Sequence, residues 1–218
     1  MIRDTHPNSG HRPADQYFIN KHSSSGFRLK GQWIRYINFL KMELTISYQY
    51  YLKARSAYPY DLAETAEMLN YALSYDEECA PALCLMGQMQ MEVLKDFEAA
   101  EDYFQKALLA DPRFVDTYKY LSLLLIWVGK FRQAEQIINK SRQIKGMPAM
   151  MILERELTLS ELKGDIRGAL MAADKGILFA VNEHSLSYFE REKSRLNRKI
   201  FGSVRNEMHV LPTHEHDD

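Results

Sequence analysis

The feature that most constrains this chain is a self-similarity that returns every 34 or 35 residues. The run Lys95-Asp96-Phe97-Glu98-Ala99-Ala100 is echoed by Gly129-Lys130-Phe131-Arg132-Gln133-Ala134 and by Gly164-Asp165-Ile166-Arg167-Gly168-Ala169. A weaker earlier copy places Leu62, Thr65, Leu69 and Ala72 35 residues before Phe97, Ala100, Phe104 and Ala107. Upstream of these runs, Leu83, Met86 and Gly87 answer to Tyr118, Leu121 and Ser122, and then to Leu153, Glu156 and Leu157. A unit of this size cannot bury its apolar face alone, so neighbouring copies must stack into one continuous core.

The spacing matches the tetratricopeptide pattern, W-x2-L-G-x2-Y on a first helix and A-x3-F…P on a second. The second copy carries Ala100, Phe104, Ala107 and a closing Asp111-Pro112. The third carries Tyr118, Leu121, Leu125, Gly129, Phe131 and Ala134. The chain therefore resembles a tetratricopeptide-repeat protein over residues 46–180. The resemblance implies an all-α fold, a right-handed α-solenoid of antiparallel helix pairs with about four repeats, the first degenerate. Several positions depart from the pattern. Pro112 is the only closing proline; Glu77, Gly146 and Val181 stand there in the other copies. Glu156 occupies a leucine position, and Ala173 and Gly176 are small. Gly129 and Gly164 suit the left-handed end of a first helix. Lys95 replaces them and lies one residue further from Gly87 than the pattern allows, which predicts a distorted exit from that helix.

The flanks divide the rest. Residues 1–31, with Pro7, Gly10, Pro13 and Ser23-Ser24-Ser25-Gly26, read as a polar, partly disordered arm ahead of the helical array at 32–180. Residues 32–58 are apolar almost all round. The spacing of Trp33, Ile37, Leu40, Leu44, Tyr48 and Tyr51 predicts one long helix ended by Pro59. The alternation Met42, Leu44, Ile46, Tyr48, Tyr50 is a competing strand signal. Such a helix must be covered, either by the first repeats or by another chain. The Tyr-rich stretch around it reads as packing or as a dimer face. Residues 181–201 carry Leu186, Phe189, Leu196 and Ile200 at helical spacing and read as a capping helix; 202–218 read as a disordered tail.

Composition removes several functions. Lys+Arg total 28 and Asp+Glu 29, so the net charge of −1 gives no general electrostatic case for a nucleic-acid partner. No uncharged apolar run reaches the ~18 residues of a membrane span. The first 30 residues carry no apolar secretory core, and the two cysteines, Cys79 and Cys84, form no disulfide framework; a cytoplasmic location is the expectation. No phosphate loop, dinucleotide loop, nucleophile elbow or zinc-protease motif occurs. Glu154, Glu156 and Glu161 lack a partner acid, base or nucleophile and read as a helix face. The histidines of the tail, His209, His214 and His216, lack the rigid frame a metal site needs. No catalysis, cofactor or metal is expected. Arg191, Lys193, Arg195, Arg198, Lys199 and Arg205 read as the solvated face of the cap, with an anion-binding patch as the alternative.

In the family the chain resembles, partners lie in the concave groove lined by the first helices. Those positions map to Tyr50, Gln88, Met91, Lys119, Leu123, Trp127, Glu154, Thr158 and Glu161, with Ala54 and Cys84 beside them. Trp and Tyr are common binding anchors; Met91 and Trp127 also suit packing between repeats. Of the Lys/Asn/Arg set that some family members use to hold a terminal carboxylate, the mapped groove has only Lys119, so no such clamp is expected. The implied function is a non-catalytic protein–protein interaction scaffold that binds a peptide or protein segment. The alternatives are a homo-oligomeric subunit assembling through residues 33–52, and a small-ligand regulatory sensor.

Overall fold

The computed structural model describes residues 37, 41–42 and 45–209, with side chains as far as Ile200. The chain divides into two units, Met1–Thr45 and Ile46–Asp218. Of the first unit, the described residues 37, 41, 42 and 45 are helical. The arm at 1–31 and most of the apolar stretch from Trp33 to Leu44 lie outside the described residues.

In the second unit every regular element among the described residues is a helix. They are α1 (residues 46–57), α2 (Leu62–Tyr75), α3 (Ala80–Met89, running into a π-helical turn, Gln90–Leu94), α4 (Phe97–Ala110), α5 (Val115–Trp127), α6 (Phe131–Ser141), α7 (Ala149–Leu162), α8 (Ile166–Phe179) and α9 (Glu183–His209). Residues 46, 48 and 50 of the competing strand pattern are helical. Helix α1 stops at residue 57, before Pro59. Helix α9 continues to His209, past residue 201, where the sequence suggests its end.

The repeat punctuation works through backbone hydrogen-bond accounting. The second helices α2, α4 and α8 begin at Asp61, Asp96 and Asp165, whose carboxylates accept from Glu64 N, Ala99 N and Gly168 N at 2.8–3.0 Å. Each cap satisfies an otherwise orphan amide. The returns into α3 and α5 use an aspartate turn, with Asp76 accepting from Glu78 N and Asp111 from Arg113 N. Gly129 and Gly164 hold φ of +74° and +81° at the ends of α5 and α7. Lys95 adopts the same left-handed region, φ 57°, and its N–H reaches Gln90 O, one residue beyond α-helical reach. The extra residue between Gly87 and Lys95 is thus absorbed as a π-turn.

The core follows the repeat. The second-helix positions Thr65/Ala100/Ala134/Ala169, Leu69/Phe104/Ile138/Ala173 and Ala72/Ala107/Ser141/Gly176 are all buried. Buried side chains run from α1–α3 through α3–α7 to α7–α9. Glu156, the carboxylate at a leucine position, is half-buried and ion-paired with Arg142. Volume missing at Ala173 and Gly176 is filled from α9, where the fully buried ring of Phe189 lies against Gly176.

Candidate functional site

The first helices α1, α3 and α5 line a pocket of about 240 Å3. Its walls include Arg55 and Tyr58 from α1 and the turn after it, Cys84 and Gln88 from α3, and Asp116, Lys119 and Tyr120 from α5. A hydrogen-bonded platform lies beside it. The Tyr58 hydroxyl donates to Glu92 Oε2 at 2.5 Å, and Gln88 Nε2 donates to the same oxygen at 3.0 Å. The π-turn carries Glu92, so the distortion and this platform are one feature.

Burial pushes the Tyr120 hydroxyl up to about 12, with Glu92 and Asp116 adding to it. Burial, then the hydrogen bond to Glu92, raises Tyr58 far above a free phenol. Both hydroxyls therefore stay protonated donors at neutral pH. Burial likewise pushes Cys84 up to about 12, which keeps it a thiol rather than the thiolate that nucleophilic chemistry needs. The charges around the pocket are less occupied. Arg55 Nη1 donates to the Tyr51 hydroxyl at 3.2 Å, and Lys119 Nζ lies 4.9 Å from the Tyr120 ring centroid. Among the described residues Arg55, Asp116 and Lys119 make no ion pair.

The other end of the first-helix row is closed. Arg195 of α9 forks onto Glu161 of α7, with both Nη–Oε distances 2.5 Å, and also donates to Glu192 at 2.8 Å. Lys199 Nζ adds a second cation to Glu161 at 2.5 Å. The Arg195 hydrogen bonds hold the Glu161 carboxyl down at about 2.

The positions suggested by sequence are dispersed by this geometry. Gln88 and Lys119 meet in the pocket, with Cys84. Tyr50 is turned away, stacked on Tyr75 and tilted against Tyr71 of α2, and Ala54 is buried. Met91 is 0% exposed, a core residue. Leu123 packs partly buried on the core, while Trp127 is 53% exposed. Thr158 donates to Glu154 O in its own helix, and Glu161 is taken up by α9. Arg55, Tyr58, Asp116 and Tyr120 line the pocket, and Glu92 lies beside it, at positions the sequence pattern does not mark. Tyr120 stands 35 residues after Leu85, which also lines the pocket.

No protein-family model matches the chain. No curated protein matches it significantly. Solved structures do. A crystal structure of MamA superposes with a TM-score of 0.51 at 20% identity, covering 78% of this chain and 95% of that one. A second MamA crystal structure gives 0.51 at 15% identity over 78% and 97%. An O-GlcNAc transferase mutant from Thermobaculum terrenum reaches only 0.46 at 14% identity, over 64% of this chain and 26% of that one, too weak a superposition to argue from. Identities this low carry the fold alone. Together with the buried repeat positions they make the described residues a helical solenoid of the tetratricopeptide-like type.

Proposed function

We propose that the chain is a non-catalytic scaffold that binds a protein segment along its first-helix row, seated at the α1/α3/α5 pocket. One contrast carries the reading. At the α7–α9 end Glu161, Glu192, Arg195 and Lys199 are paired with each other, whereas among the described residues Arg55, Asp116 and Lys119 around the pocket form no ion pair. Unpaired charges beside fixed hydroxyl donors are groups left to meet a ligand, and such polar anchors give specificity more than raw affinity. The pocket's thiol is held protonated, and no base is hydrogen-bonded to it, which favours binding over catalysis.

The test is capture of a partner by wild type beside Gln88→Ala/Lys119→Glu. Both residues reach the pocket without being fully buried, so the double variant keeps its helical signal and melting behaviour. Loss of a partner that wild type retains supports the reading. Equal retention by the folded variant refutes it. Self-assembly is a second reading, favoured by Tyr48 and Leu52, which expose 49% and 45% of their surface on α1. A concentration-independent monomer by light scattering would remove it.

A further inference from the structure

Glu77 stands where the repeat pattern closes with proline, yet the turn it forms is that of its neighbour. Asp76 accepts from Glu78 N through its side chain and from Cys79 N through its carbonyl, as Asp111 does from Arg113 N and Phe114 N. The two repeats diverge one helical turn further on. In α5 the Tyr118 ring is buried in one core cluster with Leu108, Ile137 and Ile144, and its hydroxyl donates to Pro112 O at 2.8 Å. In α3 the same position, 35 residues earlier, is Leu83, which has neither the ring nor the hydroxyl. A groove of about 430 Å3 lies there, larger than the α1/α3/α5 pocket. Its apolar walls are Leu73, Leu83, Tyr103 and the exposed Leu109, and Glu77 and Glu78 border it at the turn. The groove therefore spans from the Leu83 position to the Glu77 position, the two points that the Tyr118 side chain joins one repeat later.

Apolar walls that face a gap lose the dispersion contacts a side chain would give them. The charges along the groove differ between the repeats as well. Where the filled repeat has Pro112 and Arg113, the open one has Glu77 and Glu78. The one cation lining the groove, Lys106, holds its ammonium 5.4 Å from the Tyr103 ring centroid. Two carboxylates thus stand against one ammonium, gathered at the turn. We propose that the α2/α3/α4 groove is a second interaction surface, which takes a tyrosine side chain flanked by lysine or arginine from a partner protein. The incoming ring occupies the space that Tyr118 fills in the next repeat, its hydroxyl donates to Glu77 O, and the flanking cation meets Glu77 and Glu78. A buried aromatic anchor supplies most of the affinity in such a contact. Complementary charge beside it sets orientation and selectivity. The groove shares no residue with the α1/α3/α5 pocket.

The test titrates the full chain with three end-capped pentapeptides, Gly-Lys-Tyr-Lys-Gly, Gly-Lys-Ala-Lys-Gly and Gly-Glu-Tyr-Glu-Gly, followed by nuclear magnetic resonance. On wild type the first should bind about tenfold tighter than the second, the range for burying one aromatic side chain. It should also bind tighter than the third, with shifts centred on Leu83 and Leu109. Leu83→Tyr rebuilds the filled repeat, so it should abolish the binding and hold or raise the melting temperature. Glu77→Gln/Glu78→Gln, at exposed turn positions, should keep the preference for tyrosine over alanine and lose that for lysine over glutamate. Equal binding of the tyrosine and alanine peptides overturns the assignment, as does binding that survives in Leu83→Tyr. A chain destabilised by Leu83→Tyr overturns it too, because the space then does not fit a phenol. So does a lysine preference that outlives both glutamates. Self-association of wild type that Leu83→Tyr abolishes would make the occupant a second copy of this chain and refute the basic partner segment.

Discussion

Gly87→Ala isolates the contact on which the α3–α4 pair is built. A Cβ at this position would stand 2.8 Å from Phe104 Cε1, 2.9 Å from Cδ1 and 3.1 Å from Cζ. Carbon atoms settle at about 3.5–4.0 Å, so helix or ring must give by about half an ångström or more. Phe104 has little room to give: it is 0% exposed and lies parallel to the Tyr120 ring, with centroids 6.3 Å apart. Overpacking by a methyl costs about 1–3 kcal/mol. Alanine returns about 1 kcal/mol as the better helix former. The net expectation is a loss of about 1 kcal/mol, which for a chain of this size lowers the melting temperature by about 2–4 °C.

Urea unfolding followed by circular dichroism reads the change as a shifted midpoint at constant slope. The decisive measurement is a double-mutant cycle with Phe104→Leu. Removing the ring relieves the clash, so in that background Gly87→Ala should be neutral or stabilising by up to about 1 kcal/mol. If Gly87→Ala alone is as stable as wild type, or if the two substitutions simply add, glycine is not acting as the spacer between α3 and α4.

Two further substitutions probe the ends of the first helices. Glu161→Gln should loosen α9 and cost about 1–2 kcal/mol, since the pair is part-buried and the acceptor bidentate; hydrogen exchange confined to α9 is the readout. Because the folded carboxyl titrates at about 2, below its ordinary 4.5, its contribution is complete above about pH 4.5. It is lost as pH falls toward 2, and Glu161→Gln should remove that part of the acid sensitivity. Lys95→Gly should stabilise the chain by about 1 kcal/mol by relieving a left-handed lysine, φ 57°, in thermal melts. A loss there would mean that the lysine stem packs.

The groove was less legible than the core, for identifiable reasons. Core positions recur as small and large residues at a fixed interval, so one well-marked copy indexes the rest. Helix α1 lacks that signature, and its residues lining the pocket are Tyr51 and Arg55, with Tyr58 from the turn after it, while Tyr50 and Ala54 do not line it. Lys95 gave warning of a distortion but not of its effect: the π-turn leaves Met91 in the core and Glu92 beside the pocket. Glu161 is taken up by Arg195, which stands one repeat length later, 34 residues, on a cap whose basic residues read from the sequence as a solvated face.

The departures from the family pattern also stop being defects when read in pairs. The position of Gly87 recurs as Ser122 and Leu157, and that of Phe104 as Ile138 and Ala173. Glycine stands against phenylalanine, and at the aligned positions serine answers isoleucine and leucine answers alanine. The first partner grows as the second shrinks, so each helix pair fills a similar volume with a different division of labour, as close packing demands. The last pair goes furthest. Ala173 and Gly176 leave a face so small that the Phe189 ring of α9 completes it. The cap is therefore part of the last repeat's core as well as its solvent cover, and truncating α9 should unfold α7 and α8 rather than simply expose them. A truncated chain ending at residue 181 that kept a protected α8 in hydrogen exchange would refute that coupling.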